Sequence, residues 1–133
     1  MDFEQINIWA VLLAALAKFI LGGLWYSPVL FGNVWLRETG LKADELTAPA
    51  KPIILAAALG LVTALTLSVI IMLARLDFVH SLALGSLIGI GIMAAMLGPQ
   101  FAFEGRSFRL YTIYAGQYMV ELIMMAAIIG AFQ

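Results

Sequence analysis

The sequence predicts an all-α integral membrane protein, with four transmembrane helices in an antiparallel bundle and a short interfacial helix in the first loop. Of the 133 residues, 64% are hydrophobic and 11% are charged, and the mean hydropathy is +1.05. A soluble domain is about 45–50% apolar and about 25% charged, so this chain could not cover its own surface in water. Open sheets cannot face lipid, and the alternating pattern of a barrel is absent.

Four apolar segments are long enough to span a bilayer. They cover about residues 6–26, 53–74, 79–101 and 110–132. Each reaches the ~18 residues that separate a membrane span from a buried core helix. Because two of the connections are short, we expect neighbouring helices to be antiparallel. The whole chain, residues 1–133, is therefore interpreted as one transmembrane domain.

Residues 27–52 form the only long loop. Ser27 and Pro28 are a good N-cap followed by a proline at the first helical position, so we predict a short interfacial helix over residues 29–36. Residues 48–52 are interpreted as an extended approach to the second span. In the third span, Pro99 should kink or end the helix.

The distribution of Lys and Arg predicts the orientation. Five lie in the long loop and the third connection, namely Arg37, Lys42, Lys51, Arg106 and Arg109, and only Arg75 lies on the opposite side. Cytoplasmic loops carry the excess of positive charge. We therefore expect a multi-pass protein of the inner membrane, with loop 27–52 in the cytoplasm and both termini outside it.

Lys18 and Glu121 are the only charged residues within the first and fourth spans. A lysine at a helix centre costs about 2.5–3.5 kcal/mol, so we expect Lys18 to point into the bundle. With a rise of ~1.5 Å per residue, the two depths differ by only ~5 Å in a ~30 Å core. We therefore hypothesise a Lys18–Glu121 ion pair. Gln117 and Tyr114 share the face of Glu121, and we expect Gln117 and a tyrosine hydroxyl to complete its hydrogen bonds.

The first predicted function is a non-enzymatic structural or interaction subunit, or a homo-oligomer, in which this pair fixes helix packing. Small residues spaced along the second and third spans favour close helix packing. They are Ala57, Gly60, Ala64 and Ser68, and Ser81, Gly85 and Gly89. The alternative is a small proton- or cation-coupled transporter that uses Glu121 and Lys18, since carboxylates within a membrane often mark such pathways.

The sequence lacks the residues that other classes of function require. The net charge of −1 gives no reason to expect nucleic acid. The chain has no cysteine, and His80, beside Asp77, has no further ligands with which to form a zinc site. No nucleophile–base set or phosphate loop is present. We therefore predict no catalytic residue, no metal, no cofactor and no enzymatic activity, and the lipid bilayer as the main partner.

Two short motifs lie at the predicted cytoplasmic ends of the spans. The first contains Gly23, Trp25, Tyr26, Ser27, Pro28, Phe31, Gly32 and Trp35, and the second contains Glu104, Gly105 and Arg106. The chain resembles, over essentially its full length, the small membrane proteins grouped as domain of unknown function 1761. The resemblance implies a short four-helix membrane protein and supplies no catalytic residues.

We also expect the two motifs to meet. Glu104 and Arg106 would then contact the loop that begins at Ser27, and the contact would cap the helix ends there or shape a shallow cavity.

Overall fold

The computed structural model describes residues 6–42 and 50–132, and this part of the chain contains five helices and no strand. The helices are α1 (Ile8–Trp25), α2 (Gly32–Thr39), α3 (Ala50–Ala74), α4 (Phe78–Glu104) and α5 (Phe108–Ala131). All except α2 are long and apolar enough to cross a membrane. The predicted all-helical fold with four long apolar helices is confirmed.

Side chains and glycines define the helix ends. The Asn7 side chain accepts hydrogen bonds from the N–H groups of the first turn of α1, and Asp77 and Ser107 cap α4 and α5 in the same way. The backbone N–H of His80 holds the pKa of the exposed Asp77 carboxyl below its ordinary value of 3.8. Gly105, which ends α4, is left-handed with φ +66°, a conformation that glycine adopts without a steric penalty.

Two predicted boundaries were wrong. Helix α2 begins at Gly32, three residues after the predicted start, with Phe31 rather than Ser27 at its N-cap. Residues 50–52 are helical rather than extended, since the first turn of a helix has no N–H bond for Pro52 to break. Residues 48 and 49 lie outside the described residues. Of the kink or helix end expected at Pro99, the end does not occur, because α4 continues to Glu104.

Pro99 is preceded by an unusual segment, because α4 adopts π-helical geometry over Leu87–Ala94. Pro99 itself lies in the α-helical stretch Ala95–Glu104, where a proline leaves the carbonyl four residues earlier, that of Ala95, without its N–H donor. The Tyr111 hydroxyl of α5 donates to the adjacent Ala94 carbonyl at 2.8 Å. A side chain of α5 therefore contacts the backbone of α4 where the π-helical segment ends.

Helix α5 is the most buried of the four long helices and contacts every other helix. Helices α4 and α5 lie so close together that a side chain would not fit at the glycines of their contact. A Cβ at Gly85 would lie 2.7 Å from the Leu122 carbonyl oxygen, and one at Gly130 would lie 2.7 Å from Ser81 Cβ. The main apolar core lies where α1, α3 and α5 meet. It consists of Val11, Ala14, Ala64, Leu67, Ile71, Leu122, Met125 and Ile129.

Candidate functional site: a Lys18–Glu121 pair between two cavities

The structure brings Lys18 of α1 and Glu121 of α5 together. Lys18 Nζ lies 3.3 Å from Glu121 Oε2, and the Glu121 side chain is only 2% exposed. Neither carboxylate oxygen accepts a hydrogen bond of good geometry from the described residues. A buried acceptor left in this state costs about 1–3 kcal/mol. Glu121 is thus neutralised by a nearby ammonium but retains unused capacity to accept hydrogen bonds.

Gln117 and Tyr114, the expected hydrogen-bond partners of Glu121, also accept hydrogen bonds from outside the pair. The Gln117 amide oxygen accepts a hydrogen bond from the Tyr26 hydroxyl. The Tyr114 hydroxyl accepts one from Trp35 Nε1 at 3.1 Å. Both bonds use acceptor atoms of the α5 side chains, so the Gln117 N–H groups and the Tyr114 O–H are not consumed by them. Helical spacing along α5 alone did not indicate these two bonds.

Two cavities share Lys18 and Glu121 as lining residues. The α3–α4 cavity has a volume of about 350 Å³ and includes Thr63, Thr66 and Tyr118 in its wall. The remaining lining residues are apolar: Val62, Leu67, Ile70, Ile88, Met93, Leu122 and Met125. It lies between α3 and the π-helical part of α4, two elements that make few contacts with each other.

The α1–α3 cavity has a volume of about 460 Å³ and lies toward the other end of α3. Its wall includes Phe19, Gly22, Gly23, Tyr26, Pro52, Ile53, Ala56 and Gln117. On α3 it contacts residues 52–56, whereas the α3–α4 cavity contacts residues 62–70. Gly60 lies between these stretches, and a Cβ there would be 3.5 Å from Lys18 Cδ. The ion pair therefore stands between two cavities that follow one another along the helices.

A tight turn over residues 26–31 joins α1 to α2. The Ser27 carbonyl accepts from the N–H groups of Leu30 and Gly32, at 3.1 and 2.9 Å, and the Trp25 carbonyl accepts from Phe31. A Cβ at Gly32 would lie 2.5 Å from the Tyr26 carbonyl oxygen. Only glycine fits here, and the Ser27 hydroxyl donates back to the Leu24 carbonyl instead of capping α2.

The aromatic side chains beside this turn attach it to α5. Trp25 Nε1 donates to the Ile113 carbonyl at 2.9 Å, and its ring lies against Gly116. The ring of Tyr26 packs between those of Trp35 and Tyr114, with centroids 5.0 and 6.2 Å away. We call this group, together with Phe31 and Phe101, the aromatic cluster. It closes the end of the molecule next to the α1–α3 cavity.

The second motif reaches the aromatic cluster through Arg106. Its guanidinium carbon lies 4.4 Å from the ring centre of Phe101 and 5.7 Å from that of Tyr114, an arrangement typical of cation–π attraction. Gly105 makes the turn that directs Arg106 back over α4. Glu104 is exposed and forms no ion pair within the part of the chain that the structure describes. Arg106 of the second motif and Trp35, in the loop that begins at Ser27, thus share Tyr114 as a common neighbour.

Both motifs lie within the part of the chain that matches a known family model. The family model described as protein of unknown function (DUF1761) matches residues 9–130. The chain belongs to the DUF1761 family. No curated protein and no solved structure matches this DUF1761 protein significantly. The resemblance found in the sequence is thus confirmed, and the family description assigns no activity.

Sequence reasoning missed two parts of this DUF1761 site. Thr63 and Thr66 were not singled out, because a threonine within an apolar helix gives no signal beyond its own polarity. The π-helical segment of α4 was also missed, although Pro99 marked its neighbourhood. At the opposite end, His80 Nδ1 lies 2.7 Å from Asp77 Oδ1, and no three potential ligands among His, Cys, Asp and Glu cluster within residues 6–42 and 50–132.

Proposed function

We propose that this DUF1761 protein is a multi-pass inner-membrane protein whose four long helices span the bilayer as an antiparallel bundle and act as a small proton- or cation-coupled transporter. One observation carries the proposal: the Lys18–Glu121 pair stands between two cavities that occupy successive stretches of the same helices. Coupled transport requires an ionisable group that is reachable from either side of a closed barrier.

A pair that served only to join two helices would be sealed by apolar side chains. Here the charged residues line both cavities, so small movements of α3 or α4 would change which cavity reaches the carboxylate. The ion pair would also keep the barrier electrically neutral between transport events, since an isolated charge is costly to place in a bilayer.

Self-association or a subunit role was the other predicted function, and the small-residue faces favoured it. Six of those seven small residues are buried within the chain, and Ala57 is exposed. Gly60 lies against Lys18, Gly85 lies against Leu122, and Ser81 lies against Gly130. This arrangement leaves the transporter as the better-supported proposal, and it assigns no enzymatic step to the chain.

Charge distribution supports the proposed orientation. The aromatic cluster lies at the end that carries Arg106, and the loop after α1 carries Arg37. Cytoplasmic ends are rich in Lys and Arg, and aromatic residues favour the interface. The α1–α3 cavity would then face the cytoplasm, and the α3–α4 cavity would face the opposite half of the bilayer.

The test is proton movement in proteoliposomes that contain a pH-sensitive dye, with the membrane potential clamped by valinomycin and K⁺. Gradients of pH, Na⁺ and 2-phenylethylammonium are imposed in turn. We expect a proton flux that Glu121→Gln reduces about tenfold or more, as expected for an essential proton carrier, and that Glu121→Asp partly retains.

The matched control is Glu104→Gln, which removes an exposed carboxylate that makes no ion pair in the described structure. It should leave the flux at the wild-type rate. Wild-type flux in a Glu121→Gln protein that elutes as a folded species would overturn the proposal. Loss of thermal stability in Glu121→Gln, with no flux in the wild type under any gradient, would assign the pair to helix packing instead.

A further inference from the structure

The α3–α4 cavity is lined by a buried carboxylate, that of Glu121, whose ion-pair partner is Lys18. Glu121 is 1% exposed, and both its carboxylate oxygens lack a hydrogen-bond donor of good geometry. Lys18 Nζ approaches one of them at 3.3 Å. An ionised carboxylate offers about four lone-pair positions, so the site can receive further N–H or O–H donors from a ligand.

Apart from this acceptor the cavity wall is largely apolar. The Thr63 hydroxyl donates to the Leu59 carbonyl, and the Thr66 hydroxyl donates to the Val62 carbonyl. Both hydroxyls are therefore occupied within α3. A volume of about 350 Å³ is at the lower end of the ~300–1,000 Å³ typical of ligand pockets. The wall thus suits a small apolar body with one cationic, hydrogen-bonding end, and Tyr118 adds an aromatic ring that attracts cations.

Lys18 already places such a cationic end beside Glu121. Its stem runs past Gly60, where no side chain obstructs it, and its side chain is 26% exposed. Lys18 also lines the α1–α3 cavity, into which the ammonium can swing while the stem stays in place. A second ammonium arriving from the α3–α4 cavity could then take its position.

We propose that the α3–α4 cavity binds a protonated primary or secondary amine with a small apolar body, and that its ammonium replaces that of Lys18 on Glu121. This inference rests on the proposed function and names the substrate class of the same site. Lys18 is then a resident competitor that keeps the carboxylate neutralised while the cavity is empty. No covalent bond forms or breaks in the exchange.

A proton is the second competitor for the same carboxylate, so amine affinity should fall as the pH is lowered. The titratable groups that line the two cavities, besides Lys18 and Glu121, are Tyr118 of α5 and Tyr26 at the end of α1. The lining residues of α3 and α4 include no titratable group. Glu121 is therefore the only carboxylate among the lining residues of the two cavities for which a proton and an amine can compete.

The experiment is isothermal titration calorimetry of the purified full-length protein in mild detergent. The probe is 2-phenylethylammonium, compared with its N-trimethyl derivative, which has no N–H, and with neutral 2-phenylethanol. We expect the primary ammonium to bind more tightly than either analogue, because only it supplies both the charge and the donors that Glu121 lacks.

Two substitutions separate the roles in the pair. Glu121→Gln should abolish measurable binding, whereas Lys18→Met should tighten it by about tenfold, since removing one competing close charge pair is worth at least ~1.4 kcal/mol. Glu121→Asp checks that a folded protein with a shorter carboxylate still binds. Glu104→Gln should match the wild type.

The outcomes distinguish this inference from the proposed function. Amine binding unchanged in Glu121→Gln, or weakened in Lys18→Met, overturns the inference. A Glu121-dependent proton flux with Na⁺, without any amine binding, keeps the transporter and removes the amine as its substrate. Binding that follows the expected pattern, without flux under any gradient, keeps the amine site and removes transport.

Discussion

Lys18 and Glu121 show which contacts between individual residues can be predicted from sequence. Their approach followed from the rise per residue and the reversal of direction between spans, quantities that do not depend on side-chain detail. The structure places the two charged atoms 3.3 Å apart. Gln117 and Tyr114, on the same face of α5, accept hydrogen bonds from Tyr26 and Trp35, and these contacts with another segment could not be predicted from the spacing along α5.

The role of Gly32 could not be predicted from the sequence. The predicted helix began at residue 29, which placed Gly32 inside it. The structure makes it the first residue of α2, packed against the backbone of Tyr26 and Ser27. Hydrogen bonds from two N–H groups to the Ser27 carbonyl determine this turn, and such bonds leave no periodic pattern in a sequence.

Gly32→Ala should therefore destabilise the protein. The added Cβ would lie 2.5 Å from a backbone carbonyl oxygen, so the turn must open, at a cost of about 1–3 kcal/mol typical of overpacking. The measurement is the apparent melting temperature in detergent, which should fall. Gly23→Ala is the control, because a Cβ there has no neighbour within 4 Å. Equal melting temperatures for the two variants would contradict this account of the turn.

At the scale of elements, helix type and number were predictable while packing partners were not. Small residues along the second and third spans indicated close approach, and the structure shows where it occurs. Gly85 and Gly89 of α4 lie against α5, whereas Gly60 of α3 faces Lys18 of α1. Spacing identifies a packing face, but many pairings of four helices satisfy the same spacing.

The π-helical segment of α4 was unpredictable for a related reason. Pro99 indicated that a hydrogen bond would be lost, and a kink or a helix end was expected. The structure continues α4 through Glu104, and Tyr111 of α5 donates to the Ala94 carbonyl at the end of the π-helical segment. A contact from a different element of this kind leaves no pattern in the sequence of α4.

Gly85→Ala should weaken the contact between α4 and α5. Its Cβ would lie 2.7 Å from the Leu122 carbonyl oxygen and 2.9 Å from Ala126 Cβ, so the helices must separate, again at about 1–3 kcal/mol. We expect a lower melting temperature. Gly91→Ala, in the same helix but without a neighbour within 4 Å, should change it little. A Gly85→Ala protein as stable as Gly91→Ala would show that α4 and α5 are not held at this distance.

For the whole molecule, composition predicted the all-helical fold with its four long apolar helices. The chain is 64% hydrophobic, and a structure that spans lipid as helices must satisfy every backbone group internally. Connecting segments are not constrained in this way, since water can satisfy their backbone, and the two wrong boundaries, at the starts of α2 and α3, lie in the segment between α1 and α3.

The proposed orientation gives a prediction for the whole molecule. The chain contains no cysteine, so single cysteines report without background. His80 and Glu104 are both exposed and lie near opposite ends of α4. In intact spheroplasts, a membrane-impermeant maleimide should label His80→Cys, and it should label Glu104→Cys only after permeabilisation. Because five Lys and Arg residues lie on the Glu104 side and one lies on the other, the opposite labelling pattern would require the chain to violate the positive-inside rule. It would also assign the α3–α4 cavity, and with it the proposed amine site, to the cytoplasmic half of the membrane.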